Sequence, residues 1–350
     1  MRHSQSVRRI LTMALLIGIS MVNSGYAVSK TGTTAASFLE IGIGSRGTSM
    51  GNAFVGVVDD VHSLYWNPAG LALMDRSEVS FIQTQWLAGI DFNNVSAAFP
   101  MGTLGTLGFA LTSIGIPEMD VRTIQQPEGT GEKFQASDFA ATFGWGRRFT
   151  DRFAFGANLK YIEERIWHMK ASSVAVDLGT NFKTQWKDMR IGMSVSNFGG
   201  KMQLKGDDTI IKVDIAPDKE GNNSKINAHL DTDEWSLPLM FRVGIAGDVL
   251  HIPHGKLTMA IDAAHPNNYS ESISIGGEIN IMDMVFLRAG QTVYLDDQDD
   301  SGNAYAPESM SFGGGINLLV TPTMRFKLDM AYSDWGILSD VKRFSLSLEF

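Results

Sequence analysis

The 350-residue chain contains no cysteine, which removes thiol catalysis, thiolate metal sites and disulfide cross-links together. Past residue 27 it has no run approaching the roughly 20 apolar residues that a helix needs to cross a bilayer, so any membrane span has to be built from strands. Basic residues are few. Of 29 Lys and Arg, three lie in the first 27 residues, which hold none of the 38 Asp and Glu, leaving 26 against 38 and a net charge of −12 in the rest. That balance repels a phosphate backbone, and no basic stripe with interleaved aromatics offsets it, so nucleic acid is not an expected partner. Also missing are solenoid repeats and any Pro-rich or Gly/Ser-rich linker between domains. Glycine, by contrast, is plentiful at 36 residues, many of them inside apparent strands where a globular sheet tolerates them poorly.

The first residues carry Arg2, Arg8 and Arg9, then an apolar run from Ile10 to Val22, then Ser24-Gly25-Tyr26-Ala27. This is the three-part layout of a secretory signal peptide, so residues 1–27 are expected to be a cleaved leader and the mature chain to be exported. A disulfide-free exported chain of this size suits a barrel, whose closed backbone hydrogen bonding stabilises it without staples.

From about Val79 onward the sequence alternates with a period of two and shows no convincing helical period. Phe344, Leu346, Leu348 and Phe350 oppose Arg343, Ser345, Ser347 and Glu349; Phe326, Leu328, Met330 and Tyr332 oppose Arg325, Lys327, Asp329 and Ser333. Alternation alone does not separate a membrane barrel from a soluble sandwich. Strand count and length do. Strands are expected near 78–88, 92–99, 103–114, 136–148, 152–165, 172–182, 189–198, 236–248, 256–265, 271–281, 284–294, 308–319, 323–334 and 339–350. That is fourteen, an even number, and most are long enough to cover an outer-membrane apolar band of about 25 Å when tilted. Short connections at 100–102, 149–151, 281–283 and 320–322 alternate with long ones near 115–135, 199–235 and 295–307, as periplasmic turns and outer loops must. The expected fold is therefore all-β: a transmembrane antiparallel β-barrel of fourteen strands over residues 78–350. Residues 28–77, rich in small residues and poorly alternating, are expected to form a hatch or plug inside or beneath it.

Within that segment Arg46-Gly47-Thr48-Ser49-Met50-Gly51-Asn52-Ala53-Phe54 is followed by Trp66-Asn67-Pro68-Ala69-Gly70. Proline forces Asn67 into an extended conformation, from which its side chain can bond the following backbone. Small residues at 47, 51, 53, 56, 69 and 70 allow close packing against a barrel wall. At these residues the sequence resembles the PorV/PorQ family, a branch of the FadL-like outer-membrane proteins, and the resemblance runs over the mature chain. It implies a hatch marked by Arg46, Met50, Gly51, Phe54, Asn67, Pro68, Ala69 and Gly70. It also implies a terminal aromatic residue, Phe350, read by the barrel-assembly machinery, and a place in the bacterial outer membrane among its lipids. For function it implies two alternatives: an accessory protein of type IX-like secretion that binds cargo or attachment-complex proteins at the outer-loop side, which we rank first, or a FadL-like channel for hydrophobic or small solutes.

Other constellations are weighed against plain structural readings. Gly42, Gly44 and Gly47 match a dinucleotide fingerprint but lack the βαβ unit that gives it meaning, so no organic cofactor is expected. The loop 297–308 places Asp297, Asp299, Ser301 and Asn303, Gly302 and Glu308 at calcium-loop spacing. A solvated acidic loop is the favoured reading, and Ca2+ the alternative. His251 and His254 flank Pro253 with no third ligand nearby and read as a turn. The inward charges Asn158 accompanies, namely Lys160, Asp177, Arg190, Asp262, Glu278, Arg288, Arg325, Lys327 and Asp329, are expected to pair across a plugged lumen rather than line an open passage. No Ser/His/carboxylate grouping has hydrolase spacing, and the chain is not expected to be an enzyme.

Overall fold

A computed structural model describes residues 32–219, 225–295, 309–336 and 340–350. Fourteen strands form one closed antiparallel barrel: β1 Glu78–Gln85, β2 Asp91–Pro100, β3 Thr106–Gly115, β4 Ala136–Thr150, β5 Phe153–Ile166, β6 Met169–Lys183, β7 Arg190–Gly199, β8 Met240–Ile252, β9 Gly255–Pro266, β10 Ser272–Ile281, β11 Val285–Tyr294, β12 Ser309–Thr321, β13 Met324–Ser333 and β14 Val341–Glu349. Each strand pairs with its neighbours in sequence. The ring closes between β1 and β14, where Glu78 faces Glu349 and Gln85 faces Lys342, and the seam continues into reciprocal backbone bonds between Ser77 and Phe350 at 3.1 and 2.9 Å.

Which face of each strand is buried decides the solvent. In β1 the buried set is Glu78, Ser80, Ile82 and Thr84, while Val79 and Phe81 are exposed. In β14 Arg343, Ser345 and Ser347 are buried while Phe344 and Leu346 are exposed. A soluble sandwich buries its greasy face; here that face looks outward all round the ring, through Leu159, Leu178, Ile245, Ile261, Ile275, Leu287, Ile316 and Leu328. With no helix among the described residues long and apolar enough to cross a membrane, strands of 10 to 15 residues such as β2 and β4 are the spanning elements. At about 3.3 Å per residue and a tilt near 40°, ten residues cover about 25 Å.

The connections follow strict parity. Turns at 101–105, 151–152, 184–189, 253–254, 282–284 and 322–323 share one end of the barrel with Ser77 and Phe350, and every long connection lies at the other. The 200–239 connection is not loose there. Met202–Gln203 pairs with Glu234–Trp235, Ile210–Val213 pairs with Ile226–His229, and Lys205–Gly206 adds to the edge of β6. His251 is the penultimate residue of β8 and His254 lies in the β8–β9 turn, so the turn reading holds for His254 and Pro253.

The largest departure from the expected strand bounds is in β8. β8 begins at Met240 and runs to Ile252, four residues beyond the expected 236–248 at both ends. Trp235, Leu237, Leu239 and Phe241 alternate, but Leu237 is buried in the same apolar cluster as Phe38 and Met202. The chain before Met240 therefore serves the barrel interior rather than the wall, and a bulge near Val249 carries the hairpin further out.

Candidate functional site: the threaded segment and the slot beside it

Residues 34–74 run through the barrel from the long-loop end to the turn end. At the start, Thr34 bridges Ser236 and the Ala35 amide donates to the Ser236 carbonyl at 3.0 Å. At the finish Arg76 lies 3.6 Å from Glu349 of β14. Between these points the chain makes only short helical turns, Ser37–Glu40, Ser45–Ser49, Ser63–Trp66 and Pro68–Leu73, because glycines and the Asn67-Pro68 step break any longer helix. Its own core is aromatic. Trp66 meets Tyr65 and Phe54 edge-on with ring centres 4.9 and 6.0 Å apart, and the indole N–H donates to the Ile43 carbonyl at 2.8 Å.

Close packing on the wall explains the glycines. A Cβ on Gly156 of β5 or Gly179 of β6 would overlap Pro68 and Asn67 respectively, and one on Gly290 of β11 would overlap Met50 and Gly51. Gly51 and Gly56 lie against the wall at Gly290–Gln291 and Ala246, as the small-residue pattern implied. Gly47 and Gly70 do not. They make room for the segment's own Trp66, Phe54, Ser63 and Val58, since a chain this short must also fold on itself.

Polar groups fix the position. Asn67 is extended, with φ −164° and ψ 105°, and its Oδ1 accepts from the Ala69 amide. Its Nδ2 donates to the carbonyls of Val55 and of Thr180 on β6, each at 3.0 Å. Asp262 of β9 accepts from the amides of Phe54 and Val55 at 2.6 and 2.7 Å. Thr292 donates to the Gly51 carbonyl at 2.7 Å, and the Ser45 hydroxyl lies 2.8 Å from that of Ser345. Arg46 is the central tie. It engages both oxygens of Glu278 on β10 at 2.9 and 3.1 Å, and reaches Asp59 at 2.6 Å and Asp60 at 3.1 Å. Glu278 in turn takes Arg288 at 2.7 Å, and Arg288 reaches Asp329.

Most of the lumen charges pair as expected, while Asp262 instead accepts from two backbone amides of the threaded segment. Lys160 lies 2.8 Å from Asp177, Lys327 lies 2.8 Å from Glu349 and 3.4 Å from Glu78, and Arg190 lies 3.8 Å from Asp59. Asn158 donates to Asp177 at 2.8 Å. Arg325 has no ion pair among the described residues. Met50 and Phe54 are fully buried, and Pro68, Ala69 and Gly70 form the turn against β4–β6. Phe350 sits at the turn end. The calcium-spaced residues Asp297, Asp299, Ser301, Asn303 and Glu308 lie outside the described residues, as does the expected leader.

Sequence reasoning passed over His62 and Asp60, which carry no motif. His62 Nδ1 lies 3.2 Å from Asp60 Oδ1, a charge contact, and Nε2 lies 3.2 Å from the Ser80 hydroxyl of β1. Burial pulls the imidazole pKa down, but the Asp60 carboxylate, with Glu78 and Asp329 beyond it, raises it above the ordinary value. Burial raises the Asp60 carboxyl, and His62 and Arg46 together with Lys327 bring it far below the usual carboxylate range. At the loop end burial pushes Glu40 up, partly offset by an Asn268 hydrogen bond and by Arg242.

Beside the segment lies a slot. One side is Phe38, Leu39, Ile43, Val61, Leu64 and Tyr65; the other is the inward face of β2 to β5, from Asn94 and Ser96 to Lys160. Its volume is about 30 Å³, room for about two waters. At the turn end a wider, water-filled-sized mouth of about 490 Å³ opens below Asp59 and Leu73, with Arg148, Arg152, Lys183 and Arg190 on its rim. The segment separates the two spaces. Chemically the arrangement can seal a lumen, and it offers apolar surface next to the seal.

A closed fourteen-stranded ring threaded by its own amino-terminal segment defines the fold as an antiparallel β-barrel with an occupied lumen. The chain belongs to the uncharacterised protein family UPF0164, whose family model matches residues 16–232. No curated protein matches it. Among solved structures it is similar to the CymD monoaromatic hydrocarbon channel, with a TM-score of 0.55 and 10% identity over 88% of this chain and 97% of that one. It is similar to the Ralstonia pickettii toluene transporter TbuX, with a TM-score of 0.54 and 12% identity over 88% and 97%. The Pseudomonas putida toluene transporter TodX gives 0.51 and 13% over 88% and 97%. These likenesses concern the fold, and none points to PorV/PorQ.

Proposed function

We propose that the chain is a bacterial outer-membrane channel for small hydrophobic solutes, with its turn end and Phe350 in the periplasm and residues 28–77 as the hatch. The observation that carries this reading is the slot between the apolar side chains of the hatch and the inward face of β2–β5, set inside a barrel whose outer face is greasy. The hydrocarbon channels and toluene transporters that share the fold support the same reading. A slot with room for about two waters is a closed state, so a solute passes when the hatch gives way. The test is uptake of radiolabelled toluene by cells lacking the gene and by the same cells carrying it on a plasmid. Restored uptake is the expected result, and equal uptake in both strains removes the proposal.

No observation favours the secretion-accessory reading that the PorV/PorQ resemblance put first. Of the long outer segments 199–235 and 115–135 through which it would bind partners, the first places Met202 in the same apolar cluster as Phe38 and Leu39.

A further inference from the structure

The wall side of the slot is not uniformly apolar. Asn94 and Ser96, on successive inward positions of β2, are 1% and 3% exposed. The Asn94 amide nitrogen lies 2.9 Å from Thr112 Oγ1 and 3.3 Å from the Leu111 carbonyl. A carbonyl only accepts, so the nitrogen must face it and the orientation of the amide is fixed. Asn94 Oδ1 is thereby left as a buried acceptor with no protein partner, and Ser96 Oγ has none either. Both line the slot, opposite Phe38, Leu39 and Val61. The two charged groups in the lining already hold their counterions: Lys160 lies 2.8 Å from Asp177, and His62 lies 3.2 Å from Asp60.

Resting on the channel reading, we propose that the slot selects neutral hydrophobic solutes that carry a hydroxyl group, with Asn94 Oδ1 accepting from that hydroxyl and Ser96 as its neighbouring partner. The chemistry follows from the lining. A bare hydrocarbon that displaces water from Asn94 and Ser96 offers nothing in return, and that exchange loses affinity. A hydroxyl replaces the lost hydrogen bond while the rest of the molecule occupies the greasy side. A carboxylate would set its oxygens against Asn94 Oδ1, an acceptor facing an acceptor.

Three probes of nearly one shape separate these cases: p-cresol, p-xylene and p-toluate. Each is measured by equilibrium dialysis against the full-length protein in detergent, corrected for partition into micelles, and by uptake into proteoliposomes. The expected result is p-cresol binding about tenfold tighter than p-xylene, with p-toluate weakest. The N94L/S96A variant brings the cresol-to-xylene binding ratio to about one. S96A alone, which only trims a hydroxyl, lowers the ratio partway and guards against misfolding of the double variant. Equal binding of p-cresol and p-xylene by the wild type, a preference that survives N94L/S96A, or p-toluate outbinding p-cresol overturns the inference and leaves the channel reading standing. Neither binding nor uptake of any probe overturns both.

Discussion

Arg46 of the threaded segment and Arg288 of β11 share one carboxylate: both reach Glu278 Oε2, at 2.9 and 2.7 Å. The pair is largely out of water, with side-chain exposures of 18% for Arg46 and 3% for Glu278, so its loss is not a surface event. Removing one partner of a buried pair costs about 3–5 kcal/mol. Because Arg288 stays on Glu278, Arg46→Ala is expected at the lower end, about 3 kcal/mol, and Asp59 and Asp60 lose a cation at the same time. Urea unfolding measures the loss. Single-channel recording in planar bilayers checks its meaning: the variant conducts where the wild type is closed, and an unchanged closed level shows that Arg46 does not hold the hatch.

Asn67 gives a sharper chemical test. Its side chain accepts once and donates twice, the donations going to two backbone carbonyls. Asn67→Ala abandons all three bonds in a fully buried place, a cost of about 2–4 kcal/mol. Asn67→Asp keeps the shape but turns both donors into acceptors facing carbonyl oxygens, so it is expected to destabilise more than the alanine. An aspartate variant as stable as wild type in urea titration would contradict this.

Wall glycines should divide by what they face. Gly156 lies against the Pro68 backbone, so Gly156→Ala displaces the hatch or costs about 1–3 kcal/mol in overpacking. Gly314 has only an ordinary contact, 3.4 Å from its would-be Cβ to the Phe286 carbonyl, and Gly314→Ala is expected to be near neutral. Thermal unfolding followed by gel mobility of unheated against heated samples reports on both, and equal behaviour of the two variants would refute the packing argument.

The His62–Asp60 pair sets a pH dependence. The folded-state pKa of His62 is raised, so its contribution to stability is fully present below the unfolded value of about 6.5 and is lost as pH rises through the folded value. Asp60 is lowered, so its contribution is present above the ordinary carboxylate range and is lost on acidification. Hatch anchoring is therefore strongest between those limits. The groups facing His62 are Asp60, Glu78, Asp329 and the Ser80 hydroxyl, with Arg46 and Lys327 beyond Asp60. Melting temperature against pH is expected to decline above about pH 6.5 in the wild type, and His62→Gln should flatten that decline.

Much of the fold was legible because a barrel writes itself locally. Phe344, Leu346 and Leu348 against Arg343, Ser345 and Ser347 show a strand within a few residues, and turn lengths fix parity. What alternation does not carry is the solvent on each side; only the burial of Ser345 and exposure of Leu346 reveal that. The start of β8 misled because Leu237 keeps the rhythm of a strand while packing inward on Phe38. Of the site, Asn67 was legible through its proline neighbour. Arg46 stood out as a motif residue, but its partner Glu278 lies 232 positions away, and nothing local names it. Asn94 and Ser96 look like any lumen-facing polar pair until the slot places them beside Phe38 and Leu39.

The seam at which Val79 meets Leu348 has a consequence for biogenesis. Every other pairing in the ring joins neighbouring strands, so hairpins can form as the chain arrives, whereas the seam joins its two extremes and carries the largest loop-closure entropy. The ring therefore zips shut last. The threaded segment precedes the first strand and touches nearly every strand from β3 to β14, so it is expected to be seated while the sheet is still an open trough. Substitutions such as Gly156→Ala would then register first as slow assembly and proteolytic loss of the unclosed chain, before they register as reduced stability of the finished barrel.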